Sequence, residues 1–250
     1  MSFDLPAIIF AAGLVFARLG AILMLMPGFG EPSIPVRIRL SFALLVCLTL
    51  GPILAPSMPP MPAEPLMMTG LVLGEVLIGL MIGGIARLLM STAAIAGQVI
   101  SMQTGLAMAQ SFDPSQGAQG ALISTFLNLV FITLLFATNT HHLLLQAGVN
   151  SYAMFPAGEF PSMADAANWA LQAFIDTFRI AIQIAAPLIV FGLTFYFALG
   201  ILSRLMPQLQ IFFVAMPANI MFGLLILLIA IGAMAAVWLE RMQRFAFELS

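Results

Sequence analysis

Long apolar runs, cut at uneven intervals by proline and glycine, constrain this chain more than any motif in it. Six runs are readable: 7–26, 40–54, 66–86 (continuing into the more polar stretch 88–108), 121–138, 180–202 and 211–239. A bilayer's hydrocarbon core, about 30 Å thick, takes about 20 helical residues. The second run is short for that, and the last is too long for a straight crossing and carries Pro217. Only 7% of the residues are charged, against about 25% in an ordinary soluble domain. No hydrophilic block is long enough to fold by itself. The expectation is an all-α membrane protein, one integral domain over 1–250, with helices too irregular for simple spanning. The N-terminus has no positive n-region, so the first run is expected to stay as a helix and not to be removed as a signal peptide.

The breaks carry as much information as the runs. Pro27, Gly28, Gly30, Pro32 and Pro35 end the first segment, and Arg37 and Arg39 follow. Five prolines between 56 and 65 make a stiff connector. The third break, 110–120, is small and polar: Gln110, Ser111, Phe112, Asp113, Pro114, Ser115, Gln116, Gly117, Ala118, Gln119, Gly120. Irregular backbone is tolerated among hydrophobic segments only where protein or a wet cavity satisfies it. This break therefore reads as a loop lining or closing a passage, and Phe112 is its one large apolar side chain. The stretch 165–179 reads as an amphipathic helix entering the run 180–202, and a further polar break lies at 203–210. The arginine pairs 37/39 and 241/244 place the C-terminus on the cytoplasmic side and the N-terminus outside.

Charges inside apolar segments are costly and often functional. Arg18, Glu75, Asp176 and Arg179 are the four here. Asp176 and Arg179, three apart, share a helix face and can pair; structural neutralisation is the plainer reading and ion transport the sharper one. Gly70, Gly74, Gly79 and Gly83 flank Glu75 at four-residue spacings, the pattern that lets a neighbouring helix or subunit approach closely. His141 and His142 are adjacent and do not share a helix face. No HExxH or GxSxG pattern occurs, so nothing supports catalysis, a metal or another cofactor. The eight basic residues are all Arg, and a net charge of −2 argues against a nucleic-acid surface or a polybasic lipid-binding patch.

Five blocks in order along the chain resemble the FliR-type family of type III secretion export-gate proteins. They are Arg18-Leu19-Gly20 with 26–39; Gly74-Glu75 through Gly83; Ala96-Gly97-Gln98 with Gln103-Thr104-Gly105 and Phe112-Asp113-Pro114; His141-His142 with Ser151-Tyr152 and Pro156-Ala157-Gly158; and Gly200 through Phe213 with Met216-Pro217. The resemblance implies kinked helical hairpins that assemble with FliP and FliQ subunits into a helical gate around a pore. An FlhB-type switch protein, the lipid bilayer and unfolded rod, hook and filament proteins are the other implied partners. The implied location is the bacterial inner membrane at the flagellar basal body. The family's plug loop falls by position on about 105–120, so Gly105, Gln110, Phe112, Asp113, Pro114, Gly117 and Gly120 are its candidate residues. The injectisome homologue remains an alternative, as do a secondary transporter and a structural scaffold.

Overall fold

Prolines open two of the helices, and a left-handed glycine follows the end of one of them. In the computed structural model of the chain, which describes residues 5–107, 122–159, 162–206 and 211–249, the regular elements are helices. In chain order they are α1 (Leu5–Leu25), α2 (Val36–Leu54) with a short 3-10 turn (Ala55–Ser57), α3 (Pro65–Gln103), α4 (Leu122–Ala137), α5 (Thr140–Met154), α6 (Met163–Leu205) and α7 (Ile211–Glu248). Residues 108–121 lie outside the described residues, and with them the loop positions Gln110, Phe112, Asp113, Pro114, Gly117 and Gly120.

Helix α2 starts after Pro35, whose carbonyl accepts the amides of Ile38 and Arg39. Helix α3 starts on Pro65, whose fixed φ suits a first helical position and whose missing N–H costs nothing there. Ser162 caps α6: its Oγ accepts the Asp165 amide at 3.1 Å while its hydroxyl donates to the Asp165 carboxylate. Between α4 and α5, Asn139 sits at φ 57°. The two helices bend by 74° at that break.

Two helices are longer than the apolar runs indicate. The run 66–86 and the polar stretch after it, as far as Gln103, form one uninterrupted helix through Arg87. One arginine does not interrupt a backbone ladder, and Arg87 directs its Nη1 to the Gly30 carbonyl at 3.2 Å. The amphipathic stretch 165–179 and the apolar run that follows are likewise one helix, carrying Pro187 inside it. Helices α3, α6 and α7, with 39, 43 and 38 residues, are each about 57–65 Å long at 1.5 Å per residue. That is about twice a hydrocarbon core. Among the described residues, five helices are long and apolar enough to cross a membrane, six if the bent α4–α5 pair is one span. The chain is an all-α membrane protein.

Residue contacts divide the chain into two compact units whose boundaries fall inside helices. The first comprises Met1–Leu89, Leu135–Ile175 and Met242–Ser250. Its centre is α1, which buries Leu14, Val15, Arg18, Leu19, Ile22 and Leu23. Gly79 and Gly83 of α3 lie against the α1 backbone at Arg18 and Ile22, and Gly148 of α5 against Leu19 and Ile22. The second comprises Met90–Leu134 and Asp176–Arg241. In its core Phe131 stacks on Trp238 at 4.6 Å. Gly97 abuts the Ser124 backbone, and Ser124 Oγ donates to the Ala94 carbonyl at 3.0 Å.

Candidate functional site

The first unit is organised around a buried ion pair. Arg18 is fully buried and Glu75 is 1% exposed. Arg18 Nε donates to Glu75 Oε2 at 2.6 Å and Nη2 to Oε1 at 3.1 Å, a two-point fork that fixes both planes. Nη1 donates to the carbonyls of Phe155 (2.7 Å) and Ser151 (3.3 Å). The guanidinium also lies 3.9 Å over the centre of the Tyr152 ring, a cation–π contact that gains strength when desolvated. Glu75 Oε1 in turn accepts the Gly158 amide at 3.3 Å. Gly158 has φ 88°, which a side chain would strain.

One polar knot thus fastens the end of α5 and the turn after it onto α1 and α3. Arg18, Glu75 and the segment from Ser151 to Gly158 belong to three separate sequence blocks, and they meet here. Two of the four intramembrane charges neutralise each other, a pairing invisible from residues 57 positions apart. The glycines around Glu75 divide. Gly79 and Gly83 press on α1 of the same chain, Gly74 is buried, and Gly70 has nothing within 4 Å of where a side chain would begin.

The second unit holds the end of α3, from which the chain enters the 105–120 region. Gly105 stands at φ 75° just past the helix, the left-handed position that lets a chain leave a helix sharply. Thr104 is buried, and its hydroxyl donates to the Ile100 carbonyl at 3.0 Å. Asn219 of α7 donates through Nδ2 to the Gln103 carbonyl at 3.2 Å and to Tyr196 Oη at 3.3 Å. Gly192 of α6 and Gly223 of α7 face the side chains of Gln103 and Thr104, and a methyl group at Gly223 would strike the short Thr104 side chain. Gln103 and Tyr196 also line an open cleft of about 630 Å³ with Ile189, Leu193, Thr194 and Phe197. The helix end is therefore seated in a notch of two glycines and pinned by one amide. Gly105 was expected in this region; Asn219, Gly192 and Gly223 were not. Asn219 could have been found as a polar residue in the run 211–239, next to its proline.

Asp176 and Arg179 do pair, at 3.4 Å, but Arg179 is 67% exposed. The nearer partner of Asp176 is Arg241, whose Nη2 and Nε reach Oδ2 at 3.0 and 3.3 Å. His141 packs on the Phe136 ring at 4.8 Å and lies beside His142 at 4.0 Å.

Comparison with known proteins returns one family. The family described as "Bacterial export proteins, family 1" matches residues 9–245. The chain is 46% identical over 233 residues to the flagellar biosynthetic protein FliR of Caulobacter vibrioides, covering 93% of each chain. It is 32% identical to FliR of Bacillus subtilis, covering 90% of this chain and 87% of that one. It is 31% identical to the Yop proteins translocation protein T of Yersinia pestis, over 62% of this chain and 60% of that one.

Proposed function

Because this chain belongs to the bacterial export proteins, family 1, we propose that it is a subunit of the flagellar type III protein export gate. In this reading it assembles with FliP- and FliQ-type subunits, in the inner membrane at the flagellar basal body, into the pore taken by unfolded rod, hook and filament proteins. The observation that carries the reading is the near full-length similarity to FliR proteins, 93% of both chains in one case. The virulence-system relative matches over 62% of this chain, which favours the flagellar branch over the injectisome alternative.

The geometry supports a gate more than an ion-coupled transporter. A transporter needs an intramembrane carboxylate that can bind and release a cation. Glu75 has both oxygens engaged by Arg18, and Asp176 is held by two arginines. Glu75, 1% exposed, is closed to a passing ion, and Asp176 is already charge-paired. The long helices outrun a bilayer and suit a body that continues beyond the membrane plane. The region 105–120 serves as the closure, springing from the α3 end that Asn219, Gly192 and Gly223 hold in place. The Gly, Ser and Gln content of 110–120 suits a closure that moves without breaking a packed core. The test is affinity purification of the tagged chain from its native cells. Two other small polytopic membrane proteins are expected in stable complex with it. Recovery of the chain alone, with flagellar export intact in its absence, would refute the proposal.

A further inference from the structure

Two arginines in the first unit pair with no carboxylate among the described residues, and they converge on one oxygen. Arg39, in the first turn of α2, directs Nη1 to the Gly30 carbonyl at 3.4 Å. Arg87, in the middle of α3, directs its own Nη1 to the same carbonyl at 3.2 Å. No acidic group among the described residues forms an ion pair with either. Arg39 Nε is buried with no hydrogen-bond partner. One neutral carbonyl does not balance two guanidinium charges. Cations in the first turn of a helix also stand against its dipole, whose positive end favours an anion there.

The surroundings define the anion. Arg39 lines a cavity of about 200 Å³ whose other walls are Leu23, Phe29, Ile34, Ile38 and Phe42. Phe29 and Phe42 stack at 5.1 Å beside it. The Gly30 carbonyl is fixed by the turn: the Gly30 amide bonds the Met26 carbonyl at 2.7 Å, and a side chain on Gly30 would strike the Met24 carbonyl at 2.5 Å. From this end of α2 an exposed aliphatic surface, Leu40, Leu44, Leu45 and Leu48, continues along the helix. A charged niche joined to a dry cavity and a long aliphatic face fits an ion that carries its own hydrocarbon.

We propose that Arg39 and Arg87 form a binding site for one anionic glycerophospholipid. The phosphodiester bridges the two guanidinium groups, for which their planar forks are suited, and an acyl chain enters the cavity lined by Phe29 and Phe42. The neutral Gly30 carbonyl orients both arginines toward the headgroup.

Native mass spectrometry of the full-length chain in mild detergent tests this, with phosphatidylglycerol and phosphatidylcholine supplied in equal amounts. Phosphatidylcholine has the same phosphodiester and chains but no net charge. The chain is expected to retain phosphatidylglycerol preferentially. Arg39→Gln/Arg87→Gln should lower that retention about tenfold, the effect of losing about 1.4 kcal/mol of binding. Arg37→Gln, which removes an exposed charge from the same helix turn, should leave it unchanged. Wild-type protein that holds both lipids equally overturns the proposal, and that result needs no variant to fold. So does equal retention by the double variant. Displacement of the lipid by inorganic phosphate would assign the niche to free phosphate. Loss of the lipid on assembly of the complete gate would assign it to a neighbouring subunit's carboxylate.

Discussion

Glu75→Gln keeps the shape of the side chain at the buried knot and removes its charge. Arg18 would then stand fully buried with a neutral amide where a carboxylate accepted two charge-assisted bonds. Removing one partner of a buried pair costs about 3–5 kcal/mol, against total stabilities on the order of 5–15 kcal/mol. The loss should appear as a lower unfolding midpoint of the purified chain in detergent and as less protein in the assembled complex. The geometry also orders the double variants. Arg18→Glu/Glu75→Arg should fail to restore stability. A carboxylate at position 18 would face the carbonyls of Ser151 and Phe155, and an arginine at 75 would face the Gly158 amide. Arg18→Met/Glu75→Met should recover most of the loss, because apolar replacement of a buried pair is often neutral. A residue of about 1–3 kcal/mol should remain for the backbone groups left without partners. The reasoning is wrong if Glu75→Gln unfolds within about 1 kcal/mol of wild type, or if the charge swap restores full stability.

The glycine ladder should split by position. Gly79→Leu is expected to reduce the assembled complex sharply on blue-native gels, since even its first carbon would lie 2.5 Å from the Arg18 carbonyl oxygen; Gly70→Leu, in open space, should leave the folded chain intact. Asp176→Asn and Arg179→Gln should differ as well. The exposed Arg179 contributes on the order of 0–1 kcal/mol, whereas losing Asp176 also removes the carboxylate that Arg241, 15% exposed, reaches at 3.0 Å. Thermal unfolding of the two variants decides it, and equal losses would contradict the geometry.

Element type was legible from the sequence, because prolines at 27–35 and 56–65 and the apolar runs between them leave helices as the one economical solution. Helix lengths were less so. Apolar runs alone leave the ends open: neither Arg87 nor the amphipathic stretch 165–179 divides the backbone, since a polar side chain that reaches a carbonyl or solvent does not interrupt a helix. The four-residue glycine spacing announced a close approach of helices, but not that the neighbour of Gly79 and Gly83 is α1 of the same chain. The pairing of Arg18 with Glu75 is a tertiary fact: each residue lies alone in its own apolar run. Gly105 was singled out with the polar loop after it, whereas the notch that holds the α3 end depends on glycines 87 and more residues downstream, whose role only packing reveals.

The claim that the 105–120 region closes a pore is tested most directly by deleting 111–119 in cells that carry the complete gate. Ion and small-molecule permeability would be measured with assembly checked in parallel. The deletion should leave the subunits assembled, because the α3 end is held by Asn219, Gly192 and Gly223 outside the deleted stretch. It should make the membrane leaky, with Phe112→Ala a milder version. A deletion that assembles fully and stays as tight as wild type would contradict the account.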